Sequence, residues 1–252
     1  MQQTSQTYKT LLAAGAPKEV RALIYQTNSA YNVYGQDKIV SATTRAAMID
    51  RELSIGNCIS KELHLVLRNY TGMPVIPRMA KIVMQFRLND GTTTSEWLPK
   101  GTYFIDTRDE GNGVLEIDAF DPMLKAEQSF TKAGNQGLWP RSDVSVVQTI
   151  ATAMGVSIDS RTTAIMNQGY PIGYPGIELA DGTPQYSQDG AMSMRQVLGY
   201  VGSMYGGNWV ITDANQLYLI VLGDIPEGPL GLLIDEDGDY ITMGGYRIRV
   251  SR

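Results

Sequence analysis

The sequence predicts an α+β protein, mainly antiparallel β, with a helix-containing stretch set between two β-rich ones. Three observations predict it. Apolar residues recur at every second position from Glu19 to Phe120, and strand-like segments return after Gly206. Between Asp121 and Tyr205, SDVSVVQTIATAMG and the segment from Ser193 to about Tyr205 carry apolar residues at helical spacing. The 26 glycines, 11 prolines and 14 tyrosines among 252 residues favour short strands and turns over a bundle of helices.

The opening segment SQTYKTLLAAGAP reads as a short helix: Thr4 or Ser5 caps it, Tyr8, Leu11 and Leu12 form its apolar side, and Gly15 with Pro17 ends it. At that length it needs a surface to dock on. EVRALIY alternates Val20, Ala22 and Ile24 against Arg21, Leu23 and Tyr25; KELHLVLRN and KIVMQFRL repeat the pattern. Asn89-Asp90-Gly91 supplies a turn. The clearest unit is GTYFIDTRDEGNGVLEIDAF, an antiparallel hairpin of strands Thr102 to Thr107 and Val114 to Phe120 around Gly-Asn-Gly.

At Asp121 the pattern changes. DPMLKAEQSF offers Asp121 as a helix cap with Pro122 at the first helical position, and SDVSVVQTIATAMG predicts a second helix closed by Gly155. Gly169 to Asp189 carries no period and reads as a long surface loop. A third helix runs from Ser193 to about Tyr205, with Val197, Leu198 and Val201 in its apolar stripe. NWVIT, QLYLIVL, GLLID and YRIRV return to strands. The predicted divisions are 1–121, a β domain with the N-terminal helix; 122–207, an α+β insertion with three helices and a long loop; and 208–252, strands that either complete the first domain or begin a truncated second one.

Composition excludes most chemistry. A lone cysteine, Cys58, forms no internal disulfide and no zinc cluster, and a lone histidine, His64, is a bottleneck for every Ser-His or Cys-His mechanism. With Lys+Arg 21 against Asp+Glu 26, the net charge of -5 speaks against a dedicated nucleic-acid binder. No apolar run approaches the roughly 18 residues of a membrane span, and MQQTSQTYKT lacks the features of a signal peptide, so a soluble protein made in a cytoplasm is expected.

Individual motifs read as structure. Ser129-Phe130-Thr131-Lys132 fits S-x-x-K but lacks the Ser-x-Asn and Lys-Thr-Gly elements of that serine chemistry. The glycines of Gly169 to Gly176 are interrupted by Pro171 and Pro175 and lead into no helix, unlike a phosphate loop. In Asp235-Glu236-Asp237-Gly238-Asp239 the glycine falls fourth, where an EF-hand loop needs it sixth. His64 lies mid-strand with no acid at ligand spacing, and Cys58 reads as a small apolar filler. Trp97, Trp139 and Trp209 could form a sugar platform but read better as core or interface anchors.

The order of segments resembles tail proteins of Gram-positive bacterial viruses and prophages. Their P-x-G-T-Y-x-I strand matches Pro99, Gly101, Thr102, Tyr103 and Ile105; their A-x-D-x-M junction matches Ala119, Asp121 and Met123. Their R-x-V-L helix leading to G-G-N matches Arg195, Val197, Leu198, Gly206, Gly207 and Asn208. The likeness runs from about Tyr8 to Leu222.

The resemblance implies a non-enzymatic tail hub with a tail-tube-like β domain. Such a hub is a homotrimeric ring that joins the tail tube and distal tail proteins to a tip spike or lysin, and works in the virion tail after synthesis in the host cytoplasm. DNA would pass without specific binding, and no cofactor, metal or membrane span is expected. Only about four strands follow Gly206, fewer than a second tube domain needs, so a chain cut from a longer protein is the other expectation. Alternation in VLEIDAF sets Glu116 and Asp118 opposite Leu115 and Ile117, which makes Glu116 and Asp118 the candidates for a lumen face. Two rival readings are a cell-wall hydrolase, using paired carboxylates such as Asp106 and Asp109, and a carbohydrate- or receptor-binding module at the Gly169 to Asp189 loop.

Overall fold

A computed structural model describes residues 4–46, 54–130, 139–166, 169–173 and 192–221, and the backbone alone of 230–232, 242–243, 246–247 and 249–251. The fold is α+β with mostly antiparallel strands, as expected. Helix α1, Gln6–Ala13, starts where the Ser5 hydroxyl accepts the Tyr8 N–H at 3.0 Å. Its docking surface is the large sheet: Leu11 is buried, and Tyr8 meets Phe86 edge-on at 6.3 Å.

The large sheet uses β1 (Lys18–Tyr25), β2 (Tyr31–Tyr34), β3 (Ile39–Ala46), β5 (Lys61–Arg68), β6 (Lys81–Leu88), β7 (Leu98–Gly111) and β8 (Val114–Phe120). Its order is β2-β1-β6-β7-β8-β5-β3, antiparallel throughout. Ala22, Ile24, Leu63, Leu65, Leu67, Ile82, Tyr103, Ile105, Ile117 and Ala119 share one core, closed by Ile76 and Ala80 from the β5–β6 connection.

The predicted hairpin is present but longer, because the charged run DTRDEG continues β7 to Gly111. Asn112 and Gly113, at φ 53° and 76°, form its two-residue turn; both left-handed residues suit the twist of the strands they join. Gly101 sits beside a bulge at φ 122°, and a Cβ there would come within 2.8 Å of the Tyr103 ring. Tyr103 folds under that glycine and donates its hydroxyl hydrogen to the Lys100 carbonyl at 3.1 Å.

A smaller module follows. A 3-10 helix, Pro122–Glu127, replaces the α-helix expected there. After it come β9 (Arg141–Ser142), α2 (Asp143–Met154), β10 (Ser157–Ile158), α3 (Ser160–Ile165), β11 (Pro171–Ile172), α4 (Met194–Met204), β12 (Gly207–Ile211) and β13 (Gln216–Val221). Short α3 was not predicted: its RTTAI is rich in poor helix formers, and it starts because the Asp159 carboxylate caps the Arg161 N–H. Part of the segment expected to be a long loop pairs instead, β11 with β9; residues 174–191 lie outside the described residues.

The first two strands after Gly206, β12 and β13, hydrogen-bond within a second sheet of order β10-β13-β12-β4, where β4 is Cys58–Ile59. Neither of them extends the large sheet, because Trp209, Ile211, Leu217 and Leu219 close a separate core with Val146, Ile150, Met154, Val197, Leu198 and Val201 from the helices. Later in the chain, β14 (Leu230–Leu232) pairs with β17 (Arg249–Ser251), and β15 (Thr242–Met243) with β16 (Tyr246–Arg247). Among the described residues no helix is long and apolar enough to cross a membrane.

Candidate functional site

The residues that carry chemistry gather in two places, the junction between the modules and the polar face of the large sheet. The junction starts at Asp121, where β8 ends. Its carboxylate accepts the N–H of Met123, which caps the 3-10 helix, and the N–H of Lys61 at the start of β5, both at 3.0 Å. Burial lifts this carboxyl to about 6, against the pull of those two donors and of the Lys61 and Arg195 cations.

That shift has a sign. With the folded value above the ordinary carboxylate range, the unfolded chain gives up its proton first, so the contribution is complete below about pH 4 and is lost as pH rises through 6. Against an Asp121→Asn variant, the parent chain is expected to lose up to about 3 kcal/mol between pH 4 and pH 7. Urea midpoints of both proteins across that range check it; parallel pH profiles would refute it.

Arg195, at the start of α4, reaches across the junction. Its guanidinium donates to the Cys58 carbonyl, to the Ser60 hydroxyl at 3.0 Å and to the Met123 carbonyl at 3.2 Å, and pairs with Glu127. Asn208 fixes the other end of β4: its Oδ1 accepts the Asn57 N–H and its amide donates to the Ser54 carbonyl, both at 2.9 Å. Asp213, in the β12–β13 turn, takes Lys61 at 2.6 Å and Lys100 at 3.0 Å; burial opposes its ionisation, but the two ammonium groups hold its carboxyl below the usual range. Glycines allow the close approach: a Cβ on Gly199 would lie 2.8 Å from the Gly56 carbonyl oxygen, and one on Gly207 2.5 Å from that of Ile220.

Asp121, Met123, Arg195, Gly207 and Asn208 were singled out as motif residues; their convergence here is new. Lys61, Glu127 and Asp213 were missed. Nothing in one sequence links a turn aspartate to lysines more than a hundred residues earlier.

Cys58 faces this junction, its thiol donating to the Arg195 carbonyl at 3.4 Å. Burial pushes the thiol up to about 12, with Arg195 opposing. In the folded chain Cys58 is expected to react with a disulfide reagent at pH 8 at least a hundredfold more slowly than after unfolding, since so little thiolate exists. Reaction at the unfolded rate would show the packing to be wrong.

On the large sheet, Glu116 and Asp118 are both exposed on β8. His64 of β5, which has no acid at ligand spacing in the sequence, lies directly across from Asp118 of β8, and its Nδ1 is 2.8 Å from Oδ1. Spacing along one strand says nothing of the neighbouring strand, which is where this partner came from. Thr107 donates to the other Asp118 oxygen at 3.2 Å. Here the acid stands between the histidine and the hydroxyl, whereas nucleophile activation needs the histidine between them. Glu116 faces Asp109 on β7, so this face gathers carboxylates. Asp106 is the extra residue of a bulge and shares a depression with Arg78 and Arg108, whose lining does not include Asp109.

The tryptophans form no platform. Trp209 is fully buried, Trp139 packs on Phe130 at 6.0 Å, and Trp97 is flanked by the Arg21 and Arg87 guanidiniums at 4.0 and 4.5 Å. Lys132, most of the Gly169 to Asp189 loop and Asp235 to Asp239 lie outside the described residues. Among the described residues no group of three or more His, Cys, Asp or Glu is placed to hold a metal ion.

No protein-family model and no curated protein matches this chain. Two prophage tail proteins are among the solved structures it is similar to. The 43 kDa tail protein of prophage MuSo2 from Shewanella oneidensis is 11% identical over 92% of this chain and 70% of that one, with a TM-score of 0.48. Prophage tail protein gp18 from Listeria monocytogenes EGD-e is 9% identical over 92% of this chain and 67% of that one, with a TM-score of 0.43. The Francisella PdpA-VgrG complex matches 62% of this chain and 25% of that one at 13% identity and a TM-score of 0.36.

Proposed function

We propose that this chain is a structural component of a phage, or phage-derived, tail tip, and that three copies form the hub ring between the tail tube and the tip spike or lysin. The observation that carries this reading is the convergence of the tail-protein motif residues on one junction. Asp121, Met123, Arg195 and Asn208 come from separate motifs, and each anchors another part of the same joint. A sequence likeness concentrated in such residues is a likeness of framework, as expected between proteins that share an architecture and differ at their surfaces.

We take 1–121 as the tube-like unit, 122–207 as the α+β unit, and 208–252 as a third segment whose first two strands complete the sheet of the second. Glu116 and Asp118, with Asp109 beside them, are the proposed lumen-facing groups, because a carboxylate-lined wall does not hold passing phosphates. The work of such a protein is done by surfaces that close a ring after a fixed rotation.

Two measurements test the proposal. Gold-labelled antibodies against the chain should mark one end of tail particles, and sedimentation of the protein from its whole reading frame should give a trimer. Label spread along the tube or confined to the capsid would remove the assignment. Robust lysis of peptidoglycan by the purified chain would replace it with the hydrolase.

A further inference from the structure

We propose that the cavity between the large sheet and the smaller module binds a small polyanion, one that presents at least two negative charges on phosphate or carboxylate oxygens. The cavity measures about 470 Å³, within the usual range for a small-molecule site, and both modules contribute to its wall.

Its charge is one-sided. Arg78, Lys81 and Lys125 line it, no lining residue is a carboxylate, and among the described residues none of the three forms an ion pair. In a chain of net charge -5 such a trio stands out. The fold brings the two lysines together: Lys81 on β6 is the register partner of Phe104 on β7, and the Lys125 ammonium from the 3-10 helix lies 4.0 Å from the centre of that Phe104 ring. Lys81 in turn lies 3.7 Å from the Tyr25 ring centre. Each ammonium thus sits on an aromatic face that attracts it without neutralising it.

Holding Lys125 there costs stability. Burial lowers the Lys125 ammonium, and the neighbouring Lys81 charge lowers it further. Two other features border the same space, beside a buried Asn215 Oδ1 that also lacks a partner. The Gln26 side-chain Nε2 is a buried donor with no partner, a group that native proteins rarely leave unsatisfied. Met79, between Arg78 and Lys81, holds a left-handed φ of 57°, a strained state for a side chain of its size. An oxyanion in the cavity would join both ammonium groups and give Gln26 an acceptor.

Calorimetry with inorganic pyrophosphate and, separately, citrate tests this at low salt. Saturable binding of at least one probe below about 1 mM is expected, weakened at least tenfold by Lys81→Gln and by Lys125→Gln and retained by Lys125→Arg. Pyrophosphate alone would identify phosphate chemistry as the source, and citrate alone carboxylate chemistry. Without probe, Lys125→Gln should melt no lower than the parent, since it removes a charge that burial and the neighbouring Lys81 disfavour. Failure of both probes to bind, or equal binding by parent and Lys81→Gln/Lys125→Gln, would overturn the site. A glutamine variant that melts lower and binds no probe would overturn it too if Lys125→Arg is also inactive.

Discussion

Replacing Arg195 by methionine is expected to lower the unfolding free energy by about 3 kcal/mol and to loosen the smaller module before the large sheet unfolds. The methionine keeps the apolar stem and removes the fork. The Cys58 and Met123 carbonyls and the Ser60 hydroxyl then lose their donor, and Glu127 loses its cation. Each lost bond to a charged donor is worth about 1 kcal/mol or more, and partly shielded carbonyls recover little of it from water. Arg195→Lys should restore only the charge opposite Glu127, since one ammonium does not reproduce three diverging bonds. Urea unfolding followed by tryptophan fluorescence and by far-ultraviolet dichroism is the measurement: the midpoints should fall and separate between probes. A midpoint unchanged from the parent would show that the guanidinium bears no part of the junction.

The second large effect is expected at Trp209. Trp209→Ala should cost about 4 kcal/mol, within the range for emptying a large aromatic from a core. The indole is fully buried, and its N–H donates to the Leu198 carbonyl at 2.6 Å. Gly202 lies against it so closely that a Cβ there would come within 3.0 Å of Nε1. Trp209→Phe separates the two contributions: it keeps most of the apolar volume, loses the bond, and should cost about 1 to 2 kcal/mol. Thermal unfolding of the two variants beside the parent gives the ordering, and an alanine variant as stable as the phenylalanine one would contradict this packing.

Much of the architecture was legible from local rules. Alternation located β1, β5, β6 and β8, and Asn112-Gly113 fixed the hairpin because two left-handed residues are what that turn demands. Helical spacing of apolar residues located α2 and α4, and the structure adds a reciprocal cap between Ser193 and Gln196 at the start of α4. What escaped was non-local. β4 is two residues long and has no period to detect. Its existence depends on Trp209 and Val210, which pair with Cys58 and Ile59 about 150 positions earlier. His64 found its acid across a strand boundary, and Asp213 found its lysines across a module boundary, where register rather than spacing decides who meets whom. The cationic cavity was invisible for the same reason: Lys81 and Lys125 are 44 positions apart and meet only because β6 pairs with β7 and the 3-10 helix lays Lys125 on the Phe104 ring of β7.

The short strand β4 has a mechanical consequence. Cys58–Ile59 runs parallel to β12, and one residue later the same backbone enters β5 of the large sheet. A pull on the smaller module is therefore passed to the larger one through covalent main chain at Ser60, with the bonds from Arg195 and Asn208 keeping that strand from sliding. The two bodies cannot be drawn apart by wetting the surface between them; the strand must first be stripped from its neighbour. A particle that has to bear traction along its axis gains from such a seam, because load reaches backbone hydrogen bonds between β4 and β12 as well as the side chains around them.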